Sequence, residues 1–343
     1  MTTAMRLHEP GPLTTDRLSR DELELPPLAP QEVRIEVAAC AVCRTDLQLV
    51  AGDLPARTLP ITPGHQIVGT ITAMGSGVQA DRLGNLVGVA WLAGSCGKCR
   101  FCLSGRENLC EFATFTGWDR DGGYATEVVA NSDCAFDLPM DFLPAAEPTE
   151  RAIALAPLLC GGVIGYRSLA IAGIAPDSGG QRLGLYGYGA SATLVLQVAR
   201  FWDVEVSVVT RSPTEARRAL DAGASWAGTY DDSPPHPLDA AITFAPAGDV
   251  VVSALKDLDR VGTVAVNAIH LDRVPELDYD DLWWERSIKS VANVTRADVT
   301  GFLALVPEAG IQTVRQAMPL TEANTALRRL EAGDVTGSLV LVP

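Results

Sequence analysis

Apolar and polar residues alternate with period two over residues 33–37, and β-rich runs follow at 67–74, closed by Gly75-Ser76-Gly77, and at 87–91. Strict alternation marks a half-buried strand, so the chain reads as short strands and turns up to about residue 148. From residue 151 the texture changes. Residues 152–159 and 166–174 are helical in composition, and apolar strands then alternate with amphipathic helices. Strands are predicted at 182–186, 204–209, 239–244, 262–266 and 288–292. Helices are predicted at 190–202 and 213–222, the second closed by Gly223. Strands in alternation with helices specify a parallel, doubly wound sheet, so the fold class is α/β with a β-rich domain placed before the wound one. The tail adds a helix over 321–330, with Gly333 beyond it, and a strand over 338–342 that is read as returning to the first domain.

A chain of 343 residues suggests about two domains. With 47% apolar and 20% charged residues it has the composition of a folded protein. Its 27 cationic and 42 acidic side chains leave a net charge of −15, which opposes attraction to nucleic acid or to anionic lipid. No run approaches the ~18 apolar residues of a membrane span, and the first eight residues lack the apolar core of a secretory signal. The expected location is cytoplasmic. Eight cysteines, four of them between Cys96 and Cys110, point to metal binding in a reducing compartment rather than to a disulfide framework.

Cys96, Cys99, Cys102 and Cys110 place four thiols within fifteen residues, in a loop that also contains Gly94, Gly97 and Gly105. Four thiolates fill a tetrahedral shell and leave Zn²⁺ no open position, so such a site is structural. An iron–sulfur cluster takes the same donors, although nothing else in the chain suggests electron transfer. A second set is scattered. Cys43 stands in Cys43-Arg44-Thr45-Asp46, His65 in Gly64-His65-Gln66, and Cys160 in Cys160-Gly161-Gly162. Two thiolates and an imidazole leave a fourth position for water or substrate, the arrangement of a Lewis acid. Taken singly, each of the three also reads as an ordinary core residue. Cys40 and Cys134 lie in apolar surroundings and read as packing, and His8, His236 and His270 carry no motif.

Gly187-Tyr188-Gly189-Ala190-Ser191-Ala192 follows a predicted strand and opens a predicted helix. Gly187 permits a tight turn, Gly189 lets the backbone approach a pyrophosphate, and the helix N-terminus faces the phosphates. An NAD site usually offers a carboxylate about twenty residues on, for the ribose 2′-hydroxyl. This chain offers Thr210-Arg211-Ser212 there, which suits a 2′-phosphate and favours NADP(H) over NAD(H). An Arg that lies over the adenine without selecting phosphate is the other reading.

These motifs, together with the Gly-Gly-Tyr-Ala segment at Gly122, resemble the zinc-dependent medium-chain alcohol dehydrogenases over essentially the whole chain, and most closely their bacterial branch grouped with cinnamyl-alcohol dehydrogenases. The resemblance implies a GroES-like catalytic domain from residues 1–152 and 295–343, with a structural zinc lobe at 94–111, around a Rossmann cofactor domain at 153–294. It implies two zinc ions per chain: Cys43, His65 and Cys160 would hold the catalytic one, and the four-cysteine lobe the structural one. By the same resemblance Thr45 passes a proton to or from the substrate oxygen, Arg44 meets the cofactor pyrophosphate, and Asp46 orients His65. Trp91 and Trp118 line the substrate pocket or belong to the core. A small alcohol or aldehyde is the implied substrate, and a homodimer or homotetramer the implied assembly.

Three positions depart from the family pattern. Gln48 stands where a relay His is common and cannot titrate near neutral pH; Gln66 replaces the Glu beside His65; Ile164 replaces a Thr beside the nicotinamide. The expectation is an oxidoreductase acting on CH–OH groups with NAD(P) that mainly reduces, since a carbonyl takes its proton from solvent more easily than an alcohol sheds one without a base. The alternatives are a C=C or C=N reductase on the same scaffold and an idle nucleotide-binding homologue.

Overall fold

Strands β1 (Thr2–Leu7) and β2 (Leu18–Leu23) open the chain as an antiparallel pair. The structure, a computed structural model, describes residues 1–343 except 140, 144 and 270, so His270 lies outside the described residues. β3 (Glu32–Ala41) carries the predicted alternation, with Val33, Ile35 and Val37 buried. There follow α1 (Arg44–Ala51), β4 (Gln66–Met74), β5 (Leu86–Val89), β6 (Leu92–Gly94), α2 (Arg100–Leu103), β7 (Thr114–Phe115), β8 (Glu127–Asn131), β9 (Ala135–Asp137) and α3 (Pro148–Leu155). Pro148 starts α3 at a position where its missing N–H is not needed. The predicted helix at 152–159 is half α-helix and half 3₁₀ turn, Ala156–Leu159, because Pro157 has no N–H for the next helical bond. Cys160 ends that turn.

The middle of the chain contains α4 (Gly161–Ala172), β10 (Arg182–Tyr186), α5 (Ala190–Phe201), β11 (Glu205–Thr210), α6 (Pro213–Asp221), β12 (Trp226–Thr229), β13 (Leu238–Thr243), α7 (Gly248–Lys256), β14 (Leu258–Val266), α8 (Tyr279–Leu282) and β15 (Ser287–Ser290). It ends with α9 (Arg296–Glu308), β16 (Arg315–Pro319), α10 (Ala323–Ala332) and β17 (Ser338–Val342). Gly223, at φ +96°, closes α6 in the left-handed region that a side chain resists. Short β12, and α7 and α9, escape the sequence pattern: α7 carries Val250-Val251-Val252, a run that reads as strand, and α9 has Pro307 inside it.

The chain divides into two compact units. One is Met1–Cys160 with Asn293–Pro307 and Gln312–Pro343, and the other is Gly161–Ala292 with Glu308–Ile311. In the first, a sheet runs β16-β17-β3-β4-β5-β9, with β8 also paired to β3. β17 returns the C-terminus to β3 through Val340 opposite Ala41. Ile35, Ile67, Ile71, Tyr124, Leu339 and Leu341 share its core, each large apolar side chain stabilising the fold by roughly 1.5–3 kcal/mol.

Among the described residues of the second unit, six strands form one parallel sheet in the order β12-β11-β10-β13-β14-β15. Tyr186, Ala241, Val251, Leu255 and Val264 pack on one side of it. The chain winds outward from β10 to β12 and then returns to the other side of β10. The carboxyl end of β10 is therefore the switch point at which such sheets bind ligands. Residues Pro148–Ala172 are long and apolar enough by length and composition to cross a membrane, but most of the run is buried inside the protein. Burial among core side chains accounts for its apolarity.

Candidate active site

Cys43 sits at the N-cap of α1, where its backbone N–H is held by Asp46 Oδ2 at 2.8 Å. This local box forms because Asp46 stands three residues on, in the first helical turn. Asp46 is buried and accepts three further donors: Gly64 N at 3.2 Å, His65 Nδ1 at 3.2 Å and the Tyr124 hydroxyl at 3.2 Å. With Nδ1 engaged by Asp46, His65 would offer Nε2 to a metal. Gly64 is at φ +96°, and a Cβ there would lie 2.4 Å from the Tyr124 ring, so glycine is what lets the His65 loop lie against that ring.

Cys43 Sγ and Cys160 Sγ are 3.9 Å apart, and the donor atoms of Cys43, His65 and Cys160 all lie within 4.8 Å of one another. The Cys160 thiol, as the hydrogen-bond partner of Cys43, holds Cys43 well below the usual thiol range, and the same bond, with burial, raises Cys160. Burial pulls the His65 imidazole down, but Asp46 and Cys43 outweigh it and push it up to about 10. A divalent cation binding these groups would displace the protons they hold. Two sulfurs and one nitrogen, oriented by a carboxylate, fit zinc with a position to spare.

The other predicted residues take different places. Thr45 Oγ1 is 3.7 Å from Cys43 Sγ. Arg44 is exposed at the first position of α1. Gln48 Oε1 is buried, with no hydrogen-bond partner among the described residues. The Gln66 amide is turned away, donating from Nε2 to Ala41 O at 3.2 Å. Ile164 lies in α4, in the second unit. Trp91 packs edge-on against His65 at 4.8 Å and stacks on Phe115 at 5.4 Å and on Trp118 at 5.8 Å. The two tryptophans therefore stand in one aromatic wall beside the metal triangle, with Arg57 over Trp118 at 3.7 Å. Phe115 and Arg57 were not singled out from sequence, and Tyr124 entered only as part of the Gly-Gly-Tyr-Ala segment at Gly122, with no role assigned.

The lobe cysteines also converge, their sulfurs within 4.8 Å of one another. Backbone N–H groups of Cys96 and Phe112 point at Cys110 Sγ, and that of Cys102 at Cys99 Sγ, at 3.4–3.5 Å. Lys98 and Cys99 N–H groups pull Cys96 down to about 6. Gly97 at φ +70° and Gly105 at φ +68° supply the turns that aim these donors inward. The four-sulfur set fits a structural zinc.

In the second unit, Gly187 adopts φ +94° immediately after β10, and its N–H bonds Val209 O at 2.7 Å. A Cβ on Gly189 would meet nothing within 4 Å, so the backbone there stands open to an approaching phosphate. Tyr188 lies between the two glycines, and Ala190 and Ser191 begin α5, whose N-terminal N–H groups could hold an anion. Gly165 of α4 packs where a Cβ would lie 2.4 Å from Val195 of α5, a close helix pairing that positions the loop.

At the tip of β11 the structure corrects one expectation. The sequence placed no carboxylate near Thr210, Arg211 and Ser212, but Glu215 reaches there from α6. Its carboxylate takes the Thr210 hydroxyl on one oxygen and Arg211 Nε on the other, the latter at 2.9 Å, while its backbone N–H is capped by Ser212 Oγ at 3.2 Å. The Ser-x-x-Glu spacing of 212–215 was the signal available in the sequence. The side chain turns to the strand tip because two donors are there.

Residues 29–140 match the family model described as alcohol dehydrogenase GroES-like domain. The chain is 43% identical over 347 residues to a protein of Mycobacterium tuberculosis named probable alcohol dehydrogenase AdhA, covering 99% of this chain and 97% of that one. An alcohol dehydrogenase of Geobacillus stearothermophilus is 31% identical over 329 residues, covering 93% of this chain and 94% of that one. Among solved structures, a cinnamyl alcohol dehydrogenase of Sorghum bicolor superposes with a TM-score of 0.88 at 25% identity, over 100% of this chain and 98% of that one. Identity of this degree along nearly the full chain, on a wound parallel sheet joined to a GroES-like domain, establishes that the chain belongs to the zinc-dependent medium-chain alcohol dehydrogenases, oxidoreductases that act on CH–OH groups with NAD(P).

Proposed function

We propose that the protein is an NADP(H)-preferring alcohol dehydrogenase and aldehyde reductase that runs chiefly as a reductase on substrates with an apolar or aromatic body. The observation that carries this reading is the convergence of Cys43, His65 and Cys160 within 4.8 Å beside the Trp91–Trp118 wall. When bound, zinc supplies Lewis-acid polarisation of a carbonyl or alcohol oxygen, and the nicotinamide supplies or accepts hydride. Asp46 keeps His65 in one orientation through Nδ1. Trp91, edge-on to His65, is assigned to the apolar substrate body, while Trp118 backs it by stacking and carries Arg57 on its own face. The Thr45 hydroxyl moves the proton at Oγ1. Gln48 beyond it has no titrating group, so protons are exchanged with solvent. Arg44 is assigned to the cofactor pyrophosphate, the Gly187–Ser191 cradle to the phosphates, and Arg211 with Thr210 and Ser212 to the 2′-phosphate.

Two zinc ions per chain follow from the two donor sets, and eight free cysteines support a reducing, cytoplasmic setting. A homodimer through the second unit is supported by its edge strand β15, which leaves backbone groups of one side unpaired and has Ile288 exposed, with Tyr279, Trp283 and Trp284 exposed nearby in the chain. The test is cofactor oxidation by zinc-replete protein with NADPH and NADH, each offered with aromatic and aliphatic aldehydes. Faster turnover with NADPH and aromatic aldehydes is expected. No aldehyde turnover in protein that binds both metal and cofactor would overturn the reading in favour of C=C or C=N reduction or of an idle nucleotide-binding homologue.

A further inference from the structure

The tip of β11 bears on how sharply the protein distinguishes a 2′-phosphate from a 2′-hydroxyl. β11 lies beside β10, whose glycine loop forms the phosphate cradle. In such folds the group at the end of this second strand reads the ribose 2′ position. Glu215 is mostly buried there, its side chain 18% exposed, whereas that of Arg211 is 73% exposed. Both oxygens of Glu215 are engaged, one by the Thr210 hydroxyl and one by Arg211 Nε. What Arg211 presents outward is its terminal Nη pair, attached to a charge that is already balanced. Neighbouring Arg217 is paired in turn with Asp221, 3.1 Å away. Arg218, on the same helix, acts alike whatever the state of Glu215 and so cancels in a comparison of variants.

We propose that Glu215 sets the cofactor discrimination of this protein. By neutralising Arg211 it holds the preference for NADP(H) over NAD(H) to a small factor, and the guanidinium recognises the 2′-phosphate through directional Nη hydrogen bonds rather than through net charge. A phosphate dianion on the Nη pair is attracted by Arg211 and repelled by Glu215 on the Nε side behind it, so the carboxylate offsets part of the Coulomb attraction. A ribose hydroxyl feels neither strongly. This inference rests on the assignment of Arg211 to the 2′-phosphate.

The test is titration of the zinc-loaded protein, followed by its tryptophan fluorescence, with 2′,5′-ADP and 5′-AMP, which differ only in the 2′-phosphate. Glu215→Gln removes the charge and keeps an oxygen for Arg211 Nε. It is expected to tighten 2′,5′-ADP about tenfold, equal to about 1.4 kcal/mol, to leave 5′-AMP within about twofold, and to steepen the salt dependence of 2′,5′-ADP binding. The same gain is expected for Glu215→Ala, and its loss for Arg211→Gln combined with Glu215→Gln. Unchanged or weaker 2′,5′-ADP binding in both Glu215 variants would overturn the proposal, as would a selective loss of 5′-AMP, which would make the carboxylate a reader of the ribose hydroxyl. If Arg211→Gln alone leaves 2′,5′-ADP binding unaltered, the failure belongs to the assignment of Arg211 instead.

Discussion

Asp46 Oδ1 lies 3.2 Å from His65 Nδ1, while its other oxygen holds the backbone N–H of Cys43 at 2.8 Å. One carboxylate thus orients two of the three donors in the metal triangle. Asp46→Asn keeps an acceptor but loses the charge and two of the lone pairs. Zinc affinity at this site is expected to fall by roughly 10–100-fold, while the four-cysteine site serves as an unchanged internal control. Metal release to a graded series of chelators measures both at once, and equal retention in variant and parent would refute the role.

Gly64→Ala places a Cβ 2.4 Å from the Tyr124 ring at φ +96°. The ring has to move, and Tyr124 is bonded to Asp46, so the damage should reach the metal triangle as well as the core. A loss of roughly 1–3 kcal/mol in unfolding free energy is expected, along with weaker metal retention at the His65 site. Urea unfolding at fixed metal concentration checks the first, and metal analysis the second.

Gln48 has no proton to exchange near neutral pH, so aldehyde reduction is expected to show a flat kcat between about pH 6 and 8. Gln48→His should introduce a titration of a single group close to about 6.5 and raise the rate of alcohol oxidation more than that of reduction. A parent profile that already titrates in this window would place the proton relay on another group.

Burial raises the Asp257 carboxyl above its usual value, although the Tyr186 hydroxyl donates to it at 2.6 Å. A raised acid binds its proton more tightly in the folded state. Its contribution to stability is therefore fully present below the unfolded value and is lost as pH rises through the folded one. Asp257→Asn, which keeps an acceptor for Tyr186, is expected to be more stable than the parent at pH 7, with the advantage shrinking toward pH 4. Urea denaturation across that range reads the difference, and a variant less stable at pH 7 would reverse the assignment.

Short-range patterns carried much of this protein. Period-two alternation at 33–37 became β3, the Gly187–Ser191 motif became a turn at the end of β10 and the start of α5, and the Cys96–Cys110 spacing became a converged lobe. In each case the residues that cooperate lie within one short segment, at most fifteen residues for the lobe, so local chain geometry brings them together. Local pattern also misled: Pro157 cut a predicted helix into a 3₁₀ turn, and the valines of α7 hid a helix whose apolar face is decided by packing on the sheet.

The sequence by itself determined the donor chemistry of both candidate metal sites, the glycines that only a turn or a close approach explains, and the alternation of strands and helices that makes a wound sheet. Tertiary structure decided which distant groups meet. Cys43 and Cys160 are 117 positions apart and come within 3.9 Å. Trp91 reaches His65 across the β4–β5 pairing. Glu215 turns to Thr210 and Arg211 instead of back to its own helix cap. Such contacts depend on how whole elements pack and on which rotamer the surrounding donors favour, and neither is written in the local order of residues.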